Sequence, residues 1–311
     1  MNDLCRTLLA AVVLACSSVT ASAETITVCA SGCQYTSLDM ALQAAADGDR
    51  VEVGSGTYET EVAQVIDRSI KIVGAEDGST RIVGSTRWTV SGPANLELAS
   101  ITILGDAFAS IGFNVDAEAS LVLDECQVIG VEVSSGEFGF IGAGPGVVGR
   151  VVLRGCVFDS CVVDATGSSG AFILAADLAA ENITVRNCSL MGVNQYFFRP
   201  LVSGDFIDCR FEENEVRGFG LFNFYSPSLD ASLVSCVFEG NRARSAFGNE
   251  TLVTLGAMNS CVLDACEFVR NRADCASSSR WLGSVLIYGG TEVEIRNCRF
   301  ASNDGRAIRL N

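Results

Sequence analysis

Apolar and polar residues alternate at a spacing of two along most of the chain, and the alternation recurs in a unit of the form Cys-x-Phe-x-x-Asn. Intact copies of this unit begin at Cys209, Cys236, Cys266 and Cys298. The copy that begins at Cys156 has Cys161 in the Asn position, and weaker copies begin at Cys126 and Cys188. An earlier copy has Ile101 in the Cys position. Apolar pairs precede most of the cysteines, as Ile183 and Val185 precede Cys188.

These anchor positions lie 21 to 32 residues apart between residues 101 and 298. A spacing of two places both side chains of a pair on one face of a strand, and no copy shows a helical stripe. A short strand unit cannot bury its own apolar face, so such units are stabilised by stacking on one another. The pattern therefore predicts an all-β chain folded as a single-stranded right-handed parallel β-helix of roughly ten coils, spaced about 4.8 Å apart.

The first 60 residues differ from the repeat. An apolar run at 8–15 precedes Ala21-Ser22-Ala23, which predicts a secretory signal peptide at residues 1–23. Lipid attachment at Cys16 is the alternative. Residues 24–60 predict an N-terminal cap containing a short helix with an apolar face formed by Leu38, Ala41, Leu42 and Ala45. Residues 61–311 then form the coils, and no later segment is long and apolar enough to span a membrane.

Charge narrows the range of partners. The chain carries 37 acidic and 21 basic residues and no histidine, for a net charge of −16. Residues 250–311 hold seven acids and seven arginines, so the whole negative excess lies upstream. An acidic surface repels nucleic acid and anionic lipid, and we expect neither as a partner. It also disfavours polyuronates unless Ca²⁺ bridges the two. The absence of histidine excludes every histidine-dependent mechanism.

Fourteen cysteines are many for a reducing compartment and favour export. Cys29 and Cys33 are close enough in sequence for a local disulfide. The repeated cysteines predict a column of buried thiols, unbridged or partly bridged, because stacked Cβ atoms lie farther apart than a disulfide prefers. We expect no metal site there, since a column does not converge on a tetrahedral point. The Phe residues should stack in the core, and the Asn residues should adopt left-handed turns or bond one another in a ladder.

The segment 26–74 carries a resemblance to a known group. It contains Tyr35-Thr-Ser-Leu-Asp-Met-Ala-Leu, Ala46-Asp-Gly-Asp, Val51-x-Val53, Gly56-Thr-Tyr and Ser69-Ile-Lys-Ile-Val-Gly. In these motifs the chain resembles the opening of pectin-lyase-like right-handed β-helix proteins. Its Phe-x-x-Asn copies are similar to polymorphic outer-membrane protein repeats. The resemblance implies the β-helix fold and, for the enzymes of the group, action on polysaccharides through clustered Asp residues, Asp-bound Ca²⁺ with an Arg or Lys base, or His.

The strongest candidates for catalysis form an acidic cluster, from which we select Asp205, Asp208, Glu212 and the neighbouring Arg210. A glycosidase of the paired-carboxylate type needs two such groups about 5–9 Å apart. Solvated corner charges are the alternative interpretation.

Candidates for ligand binding are Arg242 and Arg272, which should lie one above the other with acids such as Glu239, Asp274 or Asp304 between them. The tyrosines Tyr196 and Tyr225 could support a sugar ring. The sequons at Asn182 and Asn249 are candidate glycosylation sites if the source is eukaryotic.

Taken together, the sequence predicts a secreted or cell-surface protein without catalytic activity, which contacts an extracellular glycan or a cell-surface component. The alternative is a polysaccharide lyase or glycoside hydrolase of the same fold. No cofactor is expected, and Ca²⁺ belongs only to the enzyme alternative. Because this fold hosts enzymes, adhesins and structural rods, the fold by itself does not select among them.

Overall fold

The computed structural model describes residues 23–105, 112–133, 139–142, 149–164, 170–192, 195–217, 220–245, 249–256, 258–275, 281–288, 292–304 and 308–310. Within them the chain is a parallel β-solenoid with one helix, α1 (Leu38–Ala44). The first strands are β1 (Thr25–Val28), β2 (Arg50–Val53), β3 (Gly56–Thr60), β4 (Val65–Ile66), β5 (Ile70–Val73), β6 (Thr80–Gly84), β7 (Arg87–Val90), β8 (Asn95–Ala99), β9 (Thr102–Leu104), β10 (Gly112–Val115), β11 (Ser120–Asp124) and β12 (Gln127–Ile129).

The middle strands are β13 (Glu132–Val133), β14 (Ile141–Gly142), β15 (Arg150–Arg154), β16 (Val157–Asp159), β17 (Val162–Val163), β18 (Gly170–Glu181), β19 (Thr184–Arg186), β20 (Ser189–Leu190), β21 (Gln195–Ile207), β22 (Arg210–Glu212), β23 (Glu215–Val216) and β24 (Phe222–Phe224). The last strands are β25 (Asp230–Val234), β26 (Val237–Glu239), β27 (Arg242–Ser245), β28 (Asn249–Gly256), β29 (Ser260–Asp264), β30 (Glu267–Val269), β31 (Arg272–Cys275), β32 (Trp281–Tyr288), β33 (Glu292–Arg296), β34 (Arg299–Ala301) and β35 (Ile308–Leu310).

Three parallel sheets wrap around one core. The first sheet has 19 strands. In most turns two separate strands contribute to it, but β18 and β21 are each one long strand that covers both positions. The second sheet has ten strands, from β3 to β34, and the third has six, from β13 to β31. The predicted fold is confirmed. The solenoid has about eight turns, slightly fewer than the roughly ten predicted, although ten strands pair in the second sheet when the passes at both ends are counted.

The predicted capping helix is present as α1. Ser37 caps its first turn by accepting a hydrogen bond from the backbone N–H of Met40, at 3.4 Å. Leu38, Ala41 and Leu42 are buried at 0–1% exposure against the first turns. Pairing of β2 with β5 and of β3 with β6 joins residues 50–60 to the sheets of later turns. The signal peptide and the lipidation alternative at Cys16 lie outside the described residues, and the segment boundaries stay predictions.

From Ser100 onward, each described bend from the first sheet to the second, and from the second to the third, uses a residue with positive φ. Those between the first and second sheets are Ser100, Glu125, Gly155, Asn182, Asp208, Ser235, Ala265 and Asn297. Those between the second and third sheets are Gly130, Ser160, Asn187, Glu213, Gly240, Arg270 and Ser302. In each case the next residue points into the core and belongs to a column. The predicted left-handed residue is therefore not the column Asn but its predecessor, because the bend must be complete before the inward side chain.

The predicted Phe column is confirmed by the pairing register. Phe211, Phe238, Phe268 and Phe300 are successive partners in the second sheet. The rings of Phe238 and Phe268 stack with centroids 4.5 Å apart and planes 4° apart, and Phe268 and Phe300 stack at 4.8 Å. Phe268 is fully buried. The repeated aromatic residue thus fills the core from turn to turn.

The predicted cysteine column needs one correction. In each turn a backbone N–H donates to the carbonyl of the corner residue in the turn before. Thr184 N–H donates to Cys156 O, and Arg210 N–H donates to Ile183 O. Ile183 therefore occupies the first column, where the sequence analysis placed Cys188. Ser189 donates to Cys161, so Cys188 stacks on Cys161 in the second column, which continues as Asn214, Asn241, Asn271 and Asn303. Cys188 lies 32 residues after Cys156 but only 27 after Cys161, so it belongs to the corner after the one that was predicted.

The described thiols of both columns are unbridged. Each donates to a backbone carbonyl of the preceding turn, for example from Cys156 Sγ to Leu123 O at 3.2 Å and from Cys161 Sγ to Val128 O at 3.4 Å. The amide nitrogen of Asn241 donates to the equivalent carbonyl, that of Phe211, at 2.7 Å. Cys and Asn therefore make the same contact at the corners, a side-chain hydrogen bond to a carbonyl of the preceding turn.

The predicted Asn ladder is also present. Nδ2 of Asn214 donates to Oδ1 of Asn241 at 2.9 Å, and the same contact joins Asn241 to Asn271 and Asn271 to Asn303 at 3.0 Å each. Asn241 is fully buried. Because every polar atom of a buried amide needs a partner, this arrangement links four turns through their side chains.

Candidate functional site

A cavity of about 380 Å³ lies at the corner between the second and third sheets. It is lined by Arg186, Asn187, Glu212, Glu213, Glu239, Gly240 and Arg270. These residues come from the ends of β19, β22, β26 and β30 and from the bends that follow them. The pairing register brings them together, because Arg186, Glu212 and Glu239 are successive partners across three turns.

Gly240 explains why there is space at this corner. The left-handed corner position is held by Asn187, Glu213, Gly240 and Arg270 in four successive turns. At Gly240, which has φ 65°, the row of corner side chains is interrupted. A Cβ added there would lie 3.5 Å from Cγ of Glu213, which is an ordinary contact distance, so a side chain would extend into the cavity without a backbone clash.

The walls of the cavity carry charges of both signs. Beside the cavity, Nη2 of Arg210, which is not a lining residue, lies 2.7 Å from Oε1 of Glu212 and 3.7 Å from Oε2 of Glu239. Arg270 forms a second ion pair with Glu239. The two glutamate side chains are each 29% exposed, so their pairs are partly shielded from solvent. On the far side, Arg186 pairs with Asp159. Burial raises the pKa of the Asp159 carboxyl, but hydrogen bonds from Asn187, Ser160 and Arg186 together outweigh that effect and lower it.

The structure brings together only part of the predicted catalytic cluster. Glu212 and Arg210 lie on the outer face of the second sheet, where they pair with each other. Asp205 lies on the first sheet, where it accepts a hydrogen bond from Ser232 Oγ at 2.6 Å. Asp208 is the left-handed corner residue between those two sheets. The four residues therefore do not form one site, because a corner separates the first two from the others.

Sequence reasoning missed Glu239, Arg186 and Arg270, which come from neighbouring turns. A signal for them existed in the repeat. Glu212 and Glu239 each follow the column Phe by one residue, so aligning the copies places them side by side. Acidic residues that are close in sequence are therefore not the ones that become neighbours across turns.

The predicted stacking of Arg242 on Arg272 is present, since the two are register partners in the third sheet. Asp304 contacts Arg272 at 3.8 Å but is its partner in the following turn, so it does not lie between the two arginines as predicted. Glu239 does not lie between them, because it faces the second sheet and pairs with Arg270. The side chain of Asp274 is outside the described set. Glu215 is the register partner of Arg242 in the turn before, so the two stacked arginines have an acid on either side, Glu215 before Arg242 and Asp304 after Arg272.

Of the two tyrosines, Tyr196 is wrong as a sugar platform. Only 8% of Tyr196 is exposed, because it lies within β21, where the outer end of the ring meets Arg199, whose guanidinium carbon is 6.0 Å from the ring centroid. Tyr225 is 49% exposed, but it follows β24 of the first sheet and does not line the cavity. The cavity therefore has charged and amide walls without an aromatic surface.

The remaining predicted residues lie away from the cavity. Cys29 and Cys33 form the disulfide that their spacing suggested, with Cα atoms 5.5 Å apart. Asn182 is an exposed corner residue, and the side chain of Asn249 is outside the described set. In the parts of the chain that the structure describes, no group of three His, Cys, Asp or Glu residues could hold a metal ion. None of the described helices is long and apolar enough to cross a membrane.

No protein-family model matches the chain, and no curated protein matches its sequence. Among solved structures, the chain is similar to a pectin methylesterase from Aspergillus niger, with 13% identity over 91% of this chain and 87% of that one at a TM-score of 0.36. It is also similar to PfbA, a surface adhesin of Streptococcus pneumoniae, with 11% identity, coverage of 87% of each chain and a TM-score of 0.37.

A third similar structure is an endo-xylogalacturonan hydrolase from Aspergillus tubingensis, with 13% identity over 92% of this chain and 93% of that one at a TM-score of 0.35. Likeness at these values carries no argument about activity. The parallel strand pairing of the chain itself establishes the solenoid fold that the resemblance to pectin-lyase-like proteins implied. The resemblance to polymorphic outer-membrane repeats stays a prediction.

Proposed function

We propose that this chain is an exported β-solenoid protein that binds a neutral extracellular glycan in the corner cavity without cleaving it. The observation that carries the proposal is the mixed wall of the cavity, where guanidinium donors and carboxylate acceptors face one space. Sugar hydroxyls donate and accept hydrogen bonds at once, so they match such a wall. A neutral glycan also avoids the repulsion that a chain of net charge −16 exerts on polyuronates.

The position of Arg210 argues against hydrolysis. A paired-carboxylate hydrolase holds the scissile bond between its two carboxyl groups. Here Arg210 pairs with both Glu212 and Glu239, and Arg270 also pairs with Glu239, so both carboxylates are held in ion pairs. Carboxylates held in ion pairs are poor proton donors and acceptors, which supports a binding role for the cavity.

A glycoside hydrolase is the second candidate, favoured by one observation. Three carboxylates, those of Glu212, Glu213 and Glu239, line the same cavity. An enzyme would release new reducing ends from a bound glycan, and Glu212→Gln or Glu239→Gln would stop that release while binding persisted.

Gly240→Asn tests the binding proposal. Asn accepts the left-handed backbone, as Asn187 does at the same corner, and its side chain would fill the cavity. Gly155→Asn is the matched control, because Gly155 is also left-handed and its added Cβ would likewise lie 3.5 Å from a glutamate Cγ, that of Glu125. Binding would be measured on a panel of neutral and acidic glycans.

We expect a neutral glycan to bind the unaltered chain, the affinity to fall at least about tenfold in Gly240→Asn, and Gly155→Asn to bind as before. A tenfold loss corresponds to about 1.4 kcal/mol, which two lost hydrogen bonds supply. Equal binding by all three proteins, or no binding to any neutral glycan, would overturn the proposal.

A further inference from the structure

The described residues cover the first turns of the solenoid with a helix but place no further strand or helix on its last turn. At the N-terminal end, α1 packs its buried face of Leu38, Ala41 and Leu42 on the first turns. At the other end, the last strands β33, β34 and β35 each pair on one side only, with β29, β30 and β32. No described residue pairs with their outer edges. An unpaired edge is a template for another strand.

The last turn also leaves core positions incompletely covered. Val293, Ile295, Cys298 and Phe300 are partly buried, whereas their partners in the turn before are 0–1% exposed. Those partners are Cys261, Leu263, Cys266 and Phe268. Among the described residues, the last turn therefore leaves part of the apolar surface of these columns uncovered.

We propose that this end face binds a second copy of the chain, turned about a two-fold axis, so that two β33 strands pair antiparallel. The sequence of β33, Glu-Val-Glu-Ile-Arg, is complementary to itself in that direction. With Glu294 on the axis, Glu292 faces Arg296 of the second copy, and Val293 faces Ile295 of the second copy. Such a contact is closed, because each copy uses the same surface.

Charge and the covered N-terminal end support the same arrangement. Two copies of net charge −16 repel each other, but residues 250–311 carry seven acids and seven arginines and are neutral, so contact at this end is the least repulsive. Glu294 faces its own copy on the axis, and Nη1 of Arg296 of the same chain lies 3.2 Å away and offsets that repulsion. Because α1 covers the other end, stacking stops at two copies and does not continue into a fibre.

The test is sedimentation velocity of the mature chain over a range of concentrations, with two charge-reversal variants. Glu292→Arg and Arg296→Glu each place like charges opposite each other, so each variant alone should sediment as a monomer. Mixed in equal amounts they restore opposite charges at both positions, and the mixture should recover the dimer. Glu292→Arg leaves the pair of Arg296 with Asp264 intact, so it is the variant whose folding is less at risk.

Glu52→Arg is the matched control, since Glu52 pairs with Arg50 two residues away, as Glu294 pairs with Arg296, but lies near the covered end. It should dimerise like the unaltered chain. Circular dichroism and melting temperature would show that the variants fold. The proposal is overturned if the unaltered folded chain sediments as a monomer at every concentration, if larger assemblies form, if Glu52→Arg is equally disruptive, or if the mixture of variants stays monomeric.

Discussion

Asn241 lies at the centre of the Asn ladder, and its replacement by Ala is the sharpest test of the corner contacts. Its side chain makes four hydrogen bonds. Nδ2 donates to Phe211 O at 2.7 Å and to Asn271 Oδ1 at 3.0 Å. Oδ1 accepts from the backbone N–H of Asn214 at 3.0 Å and from Nδ2 of Asn214 at 2.9 Å. The residue is fully buried, so water cannot replace these partners.

The magnitude follows from those contacts. A typical hydrogen bond contributes about 1 kcal/mol net, and a buried group left without a partner costs about 1–3 kcal/mol. Asn241→Ala removes four bonds and leaves the buried backbone N–H of Asn214 without its acceptor. We therefore expect the free energy of unfolding to fall by about 4–6 kcal/mol. Asn241→Cys keeps one donor for Phe211 O, as Cys161 keeps one for Val128 O, and should lose about 1 kcal/mol less.

Urea unfolding followed by circular dichroism measures both variants against the unaltered chain. Asn303→Ala is the control at the end of the ladder, where the residue is only half-buried and its Nδ2 donates to Phe268 O alone. It should cost less than Asn241→Ala. The reasoning would be refuted if Asn241→Ala cost under about 1 kcal/mol, or if Asn241→Cys were no more stable than Asn241→Ala.

Two further predictions concern the core. Phe268→Ala leaves a cavity between the stacked rings of Phe238 and Phe300 and should cost about 3–5 kcal/mol in urea unfolding; an unchanged melting temperature would contradict the stack. Burial raises the pKa of Cys126 from 9.0 to about 11, so the folded state disfavours the thiolate. The stability that results is present below pH 9 and is lost as the pH rises through 11, up to about 2–3 kcal/mol from this residue. Melting temperature should therefore fall between pH 8 and pH 11, and mass spectrometry after alkylation at pH 8 should label Cys126 only once the chain is denatured. A rise in stability over that interval, or rapid labelling of the native chain, would count against a buried neutral thiol.

The fold could be predicted because each intact copy of the repeat contains an inward-facing Phe at the same position of its turn. The Phe spacing fixes which residue faces inward in each turn, and stacking then aligns Phe211, Phe238 and Phe268 without further information. The error at Cys188 has a physical cause. Cys156 and Ile183 are 27 residues apart, a spacing typical of these turns, but matching cysteine to cysteine favoured the longer step. A thiol and an isoleucine side chain are interchangeable in an apolar column, so chemical identity was a weaker guide than length.

The cavity could not be predicted in the same way, because it depends on outward residues that come from different turns. Glu212 and Glu239 become neighbours only through the register, and Arg270 reaches them only because Gly240 leaves the corner between them open. Sequence proximity instead grouped Asp205 with Glu212, which a corner separates. Repeats of this kind therefore reveal core positions more readily than surface sites.

The corner contacts also limit where function can lie. At each Cys or Asn corner a left-handed residue turns the chain, and the inward side chain after it donates to a carbonyl of the preceding turn, as Cys156 does to Leu123 and Asn241 does to Phe211. These buried thiols and amides are committed to the backbone, and changing them alters stability rather than recognition. Outward side chains such as those of Glu212 and Arg270 form ion pairs instead of these backbone contacts, so replacing them leaves the corners intact. The proposed glycan contact is accordingly assigned to the outer rows, and the core sets only the spacing between them.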